Sequence, residues 1–427
     1  MASVFAGDKR RVAAAVSGVL LAAACSTDST PSAQKDASAP HVEAGAPDAA
    51  PSARPDAAPP PSHEAGSGVT KAPEDAPFST LAEWHLFTDP VKQTPADGVV
   101  PYDVNSQLFA DYASKRRFIY VPAGEKIGYS ATDKWAFPVG TILVKTFSYL
   151  ADLRDATKGE RLLETRLLIH EADGWVPHTY VWNDAQTTAT LDVAGQVIDS
   201  QFIDATGKTV KNGYTVPSGN DCRTCHGKLG ETDTLGGRTR QLDRDNDYGN
   251  GAENQVDHLA KLGLFDKTPE PEAERQKLVD PFGTAPIFER VRSYFDGNCS
   301  QCHQPGNSPG SLSGLWLDYA STASDQPRVN WGFCKQPASA GGATCGRQFD
   351  VVPGNPDDSI MTCRLESQLA KVKMPPVGRN LVHAEAVSLM HDWITGVDGA
   401  CGRPTVPPAD AGSGDAGPSH DAAVDHL

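Results

Sequence analysis

Between Phe78 and Val216 the apolar positions fall in short runs rich in β-branched and aromatic residues, each bounded by Gly, Pro, Asp or Asn. Thr141 to Phe147, Glu164 to His170 and Thr179 to Trp182 read as strands, and Thr188 to Val193 is a weaker fourth. Asp173-Gly174, between two such runs, is a hairpin signal. This pattern predicts a mostly antiparallel β-sandwich over residues 78–216, with a small helical entry near Ser106 to Ala113.

After Pro281 the period lengthens. Ile287, Val291 and Phe295 recur every four residues, and Ala386, Leu389, Trp393 and Ile394 mark one face of a run from His383 to Val397. Both spans are expected to be helical, with Met361 and Met390 as core residues of helices. The segments 26–77 and 403–427 have no apolar period and are rich in Ala, Pro, Asp and Ser or acidic residues, so they are expected to be disordered. The expected class is thus α+β multidomain: an antiparallel β-sandwich (78–216), a short segment (217–280), then an α-helical domain (281–402).

The chain has 427 residues and a formal net charge of -16. It lacks the basic footprint of a nucleic-acid binder, and its acidity suits docking to basic partner proteins. Lys9-Arg10-Arg11 precede an apolar run, Val12 to Ala24, of signal-peptide length and too short to span a membrane. Leu21-Ala22-Ala23-Ala24-Cys25 resembles a bacterial lipobox, which implies lipidation of Cys25, with plain signal cleavage as the alternative. Ser26 in place of Asp, by resemblance to other lipoproteins, implies the outer membrane, facing periplasm or exterior. Segment 26–77 would then be a tether of about 40 Å root-mean-square span.

Two pentapeptides carry the chemistry. Cys222-Arg223-Thr224-Cys225-His226 and Cys299-Ser300-Gln301-Cys302-His303 both read C-x-x-C-H, the attachment pattern of haem c. Two thiols one turn apart reach the two vinyl groups on a porphyrin edge, and the following imidazole lies under the ring as proximal iron ligand. Zinc is the bland alternative, but no second C-x-x-C completes either cluster nearby. Ser218-Gly219-Asn220-Asp221 before Cys222 is a plausible capped helix start. Nine cysteines are present; with Cys25 lipidated and four on haem, Cys334, Cys345, Cys363 and Cys401 remain. In an oxidising compartment these imply two disulfides, with all three connectivities open.

Helix, C-x-x-C-H, loops, Met374-Pro375-Pro376 and terminal helix together resemble a class I cytochrome c domain. That resemblance implies crossing first and last helices and Met374 as distal ligand of the second haem iron. Beyond it, Pro101 to Asn105, Trp135 to Thr141, Glu164-Thr165-Arg166, Tyr180 to Asp184 and Pro353 to Pro356 resemble a bacterial family of exported di-haem c-type proteins with a β-rich N-terminal part. The resemblance covers roughly 320 residues at moderate specificity and implies no established substrate.

The first haem has no methionine of its own. His258 is the nearest downstream distal candidate, with an open site or another histidine as alternatives; its helical position beside Lys261 suggests a solvent-facing ring. Asp243-x-Asp245-x-Asp247-x-Gly249 is similar to a calcium loop, but Tyr248 and Asn254 stand where an EF-hand needs Gly and Glu, so a solvated polar turn is expected over calcium. His170 and His178 could meet across a hairpin on a metal, but are expected to be ordinary strand residues. Methionine ligation raises haem potential, so the first haem should pass electrons to the second. The reading is a lipid-anchored electron-transfer protein with other cytochromes among its redox partners; the alternative is a di-haem peroxidase whose first haem is reactive.

Overall fold

Alternating apolar and polar residues build antiparallel sheets, and the four-residue period builds helices, giving an α+β protein. The computed structural model describes residues 68–73, 76–228, 231–249, 251–306, 310–338 and 343–401. The expected lipidation site Cys25, the leader, most of the tether and the acidic tail lie outside these residues.

A short pair, β1 (Phe87–Asp89) and β2 (Thr94–Pro95), precedes the main sheet. That sheet runs in the order β3 (Val99–Tyr102), β4 (Ser114–Tyr120), β5 (Ile142–Leu150), β6 (Glu160–Glu171), β7 (Gly174–Trp182) and β8 (Ala189–Leu191), each strand antiparallel to the next. Three predicted runs fall in β5, β6 and β7. Glycine at 174 takes φ 126° and allows the tight reversal between β6 and β7.

The pleat sorts the side chains. One face presents Val99, Phe118, Val144, Leu167 and Tyr180 to an apolar cluster closed by Leu81, Trp84 and Leu86. The other face is covered in two places. At one end Val100 and Ile119 meet Trp135, Phe137, Val256 and Leu259. At the other, Phe147 and Val181 meet Phe202, Tyr214 and Val216 of the hairpin β9 (Gln196–Ile203) and β10 (Thr209–Val216). Among the described residues this hairpin stands where a sandwich would place a second sheet of comparable size.

Downstream, α1 (Gly219–His226) leads through β11 (Gly227–Lys228) and β12 (Glu231–Thr232) to α2 (Thr239–Leu242), the hairpin β13 (Asp245–Asp247) and β14 (Ala252–Asn254), and α3 (Gln255–Lys261). The C-terminal part holds α4 (Ile287–Asn298), α5 (Ile360–Glu366) and α6 (Ala384–Thr395). Both long helices fall where the spacing put them. Val291 and Phe295 of α4 pack against Ala386, Leu389, Met390, Trp393 and Ile394 of α6. Met390 is fully buried and Met361 partly buried against this cluster, as expected of core residues.

The expected helical entry at 106–113 does not form. Asp111 and Tyr112 both adopt left-handed backbone (φ 52° and 64°), which a right-handed helix excludes. The segment is instead a buttress. Asp111 accepts the N–H groups of Asn380 (2.7 Å) and Leu381 (2.8 Å), and Phe109 N–H donates to Asn298 Oδ1 at 2.8 Å. A buried ion pair, Arg240 with Asp296 at 2.9 Å, adds a second tie to α4.

Cysteine pairing is Cys334 with Cys401 and Cys345 with Cys363, at Cα separations of 5.1 and 6.6 Å. The closed loops of 67 and 18 residues would stabilise by about 4 and about 3 kcal/mol in the chain-entropy picture.

Candidate functional site

Both C-x-x-C-H runs end on a histidine fixed by main chain. At the first, Ser218 caps α1: its N–H (3.0 Å) and hydroxyl (2.7 Å) donate to Asp221 Oδ2, and the Asp221 N–H lies 3.3 Å from Ser218 Oγ. This is the helix start that the sequence suggested. His226 ends α1, and its Nδ1–H donates to the Asp233 carbonyl at 2.8 Å. The Asp233 N–H returns a bond to the His226 carbonyl at 2.6 Å, so helix and following strand clasp each other. Burial, aided by Lys145 and Arg166, lowers the imidazole pKa to about 4. The ring is therefore neutral near pH 7, and its Nε2 keeps a lone pair. The Cys222 thiol is half-buried; the Cys225 side chain lies outside the described positions.

At the second run the helix ends and the chain turns. Cys299 is the C-cap of α4, and its carbonyl accepts the N–H of Cys302 (3.1 Å) and His303 (2.9 Å). Cys299 packs against the α4–α6 cluster, and burial pushes its thiol up to about 12. His303 Nδ1–H donates to the Leu315 carbonyl at 3.3 Å, and burial lowers its pKa too. Gly310 lies over this turn: a Cβ there would come 2.6 Å from the Cys302 carbonyl oxygen and 3.2 Å from His303 Nδ1. Only glycine lets the backbone approach the ring so closely.

Met374 reaches the same neighbourhood through Arg364. The Met374 N–H donates to the Arg364 carbonyl at 2.8 Å, and the Arg364 guanidinium lies close enough to His303 to disfavour its protonation. The loop bearing Met374 is braced by Arg379. That side chain is 3% exposed and donates to the carbonyls of Met374 (3.0 Å), Arg364 (3.1 Å), Leu365 (3.0 Å), Ser367 (2.9 Å) and Leu381 (3.2 Å). Sequence reading missed Arg379 and Gly310. An arginine three residues past a Met-Pro-Pro run was the available hint for one; for the other there was none, because the approach is through space.

His258 is not solvent-facing. It is 5% exposed, stacks on Tyr248 with centroids 3.5 Å apart, and donates to Glu253 Oε2 at 3.0 Å. The helical-wheel argument failed because the β13–β14 hairpin folds over that face of α3. His258 thus has local partners in Tyr248 and Glu253. Asp243 of the calcium-like run is buried against Arg275 and Asn254, while Asp245 and Asp247 are exposed on β13. In the β6–β7 register Leu167 faces His178 and His170 faces Trp175. An odd offset puts the two histidines on opposite faces, each as an ordinary strand residue.

These features test the fit of a covalent porphyrin. Each run supplies a neutral imidazole with one nitrogen committed to main chain and one left, on a buried wall. Among the described residues no three His, Cys, Asp or Glu side chains converge as a metal site, so those residues alone do not make either run part of a closed zinc centre. No family model, curated protein or solved structure matches the chain.

Proposed function

We propose that this protein is a di-haem c-type cytochrome that transfers electrons in the cell envelope, tethered through Cys25. The observation that carries the reading is the repeated treatment of the motif histidine: in both runs Nδ1 is tied to a backbone carbonyl and burial keeps the ring neutral. Fixing one nitrogen sets the tautomer and leaves Nε2 to ligate.

Bound there, each haem would supply a one-electron ferric/ferrous couple. The chain's own residues do the rest. Cys222, Cys225, Cys299 and Cys302 would hold the macrocycles by thioether bonds, and His226 and His303 would ligate the iron. Met374, held in its loop by Arg379, would supply the second iron with a thioether ligand. Thioether ligation there would raise the second potential above the first, so the chain would pass electrons from the α1 side to the α4 side toward a redox partner protein.

A second reading is a di-haem peroxidase. The lack of any methionine between residues 2 and 360 favours it, because the first haem then has no thioether in its own stretch of chain to close its distal side.

The test is expression with a cytochrome c maturation system, followed by mass and redox titration. Two haem additions are expected, with a sulfur-to-iron charge-transfer band in the oxidised protein that Met374→Ala abolishes. Fewer than two additions would end the di-haem reading. A high-spin first haem with peroxide turnover would favour the peroxidase.

A further inference from the structure

The sheet face beneath α1 carries a row of cations. Arg117 of β4, Lys145 of β5 and Arg166 of β6 are direct cross-strand partners, so their side chains stand side by side on one face. Lys115 joins them one step along, opposite Phe147. Lys115, Lys145 and Arg166 surround the Phe147 ring at 5.9, 5.0 and 4.3 Å from its centroid. Like charges directly opposite on neighbouring strands repel, and partial burial worsens this.

Two of the four cations have counter-ions. Arg117 pairs with Asp103 at 2.7 Å, and Arg166 Nε donates to Glu164 at 2.8 Å. Lys115 reaches only the Ala113 carbonyl at 2.8 Å, and Lys145 makes no hydrogen bond or ion pair among the described residues. Burial and the neighbouring cations lower the pKa of Lys115 to about 7 and that of Lys145 well below its ordinary value. The nearby buried Asp111 is committed to the N–H groups of Asn380 and Leu381. The row lies between two apolar clusters, one around Ile119 and Trp135, the other around Phe147 and Tyr214. Over it, α1 packs on β7, with His226 in electrostatic reach of Lys145 and Arg166, and Cys222 in reach of Arg166.

An amphipathic dianion is the ligand this arrangement suits: an apolar plate for the flanking clusters and two carboxylates for the two unmatched cations. We propose that Lys115, Lys145 and Arg166 bind the propionate groups of the haem attached at Cys222 and Cys225. The proposal rests on the di-haem reading above. Cations on the propionates favour the ferrous state, because the carboxylates otherwise stabilise ferric iron.

The experiment compares wild type, Lys145→Gln and Lys145→Arg as holoproteins, each with its haem count fixed by mass. In Lys145→Gln one of the two midpoints should fall, with about a tenfold lower ferrous-to-ferric ratio at fixed ambient potential, or about 59 mV for one electron. The other midpoint should not move. Resonance Raman propionate bending bands should shift in the same variant, and Lys145→Arg should keep both signals near wild type. If Lys145→Gln loses the first haem, restoration by Lys145→Arg supports the proposal and continued loss overturns it. Two haems with both midpoints and the propionate bands unchanged in Lys145→Gln would also overturn it, while leaving the di-haem reading intact. Wild type without haem on α1 removes both.

Discussion

The same pentapeptide is set into two different scaffolds. The first run is a two-turn helix of its own, capped by Ser218 and packed on β7, with Lys145 and Arg166 in electrostatic reach of His226. The second is the turn that ends α4, walled by an apolar helix pair and a loop under two disulfides. Both deliver a neutral, main-chain-tethered histidine. They differ in what the far side offers: cations at the first, a methionine loop at the second. On the di-haem proposal, the motif would set attachment, and the neighbours the sixth ligand and the charge. If that division is right, a change in one scaffold should leave the other site alone.

The largest effect expected is at Arg379. It is buried, makes no ion pair among the described residues, and gathers five carbonyls of the methionine loop and its flanks. Removing it leaves those carbonyls buried and unsatisfied. Bonds to a charged donor contribute about 1.5–3 kcal/mol each but not additively, so Arg379→Ala should cost about 4 kcal/mol in urea unfolding. It should also abolish the sulfur-to-iron band and lower the second midpoint. Arg379→Lys should rescue little, because a point charge cannot span the fork. A first midpoint that fell equally would break the two-scaffold picture.

Next comes the Cys345–Cys363 bridge. Replacing both by Ser frees an 18-residue loop and should destabilise by about 3 kcal/mol. Loading of the second haem should fall while that of the first holds, as read by mass.

Which of these features could be read from the chain follows from their range. Strands β5 to β7, the Gly174 turn, α4 and α6 were legible because their periods are local. So was the Ser218 cap, whose partner is three residues away. Residues 106–113 misled because their backbone obeys Asp111, whose partners Asn380 and Leu381 are 269 and 270 residues distant. His258 misled for a similar reason: what buries it is a hairpin, not its own helix. The cation row was half visible. Lys145 shares strand parity with Leu143 and Phe147 and so had to face a core, but its neighbours Arg117 and Arg166 emerge only from the register.

A smaller effect is expected where the scaffolds meet. His383 stacks on Phe109 at 4.1 Å, shares a hydrogen bond with the Tyr294 hydroxyl at 3.2 Å, and has Tyr112, Phe282 and, at 3.8 Å, Glu385 around it. Burial, with Lys115 and Arg379 adding to it, lowers its pKa to about 3. The unfolded chain then binds the extra proton between pH 6.5 and 3, so stability is full above that window and falls as pH drops through it. The slope approaches about 1.4 kcal/mol per pH unit. Between pH 7 and 5 wild type should lose about 2 kcal/mol more than His383→Phe, as measured by urea unfolding at both pH values. Equal losses would show that the ring is not held neutral.

The smallest effect sharpens the comparison most, because it touches the first scaffold alone. Ser218 and Asp221 satisfy each other at the start of α1, a helix too short to persist by propensity. Ser218→Ala removes the cap and should cost about 1 kcal/mol. Attachment at Cys222 and Cys225 needs both thiols on consecutive turns, so fraying should reach the haem count before it reaches any property of the finished protein. On the di-haem proposal, the thioethers, once formed, would hold the helix in place of the cap, together with the bond from His226 to Asp233. The expected result is a rise in single-haem protein by mass, with unchanged midpoints in the fraction that carries two. Met374 and its band should be indifferent, since the bonds that brace its loop come from Arg379 and involve neither Ser218 nor Asp221. A shifted midpoint in the doubly loaded fraction would mean that the cap shapes the mature site as well as its assembly. The two scaffolds would then differ in how late each becomes rigid.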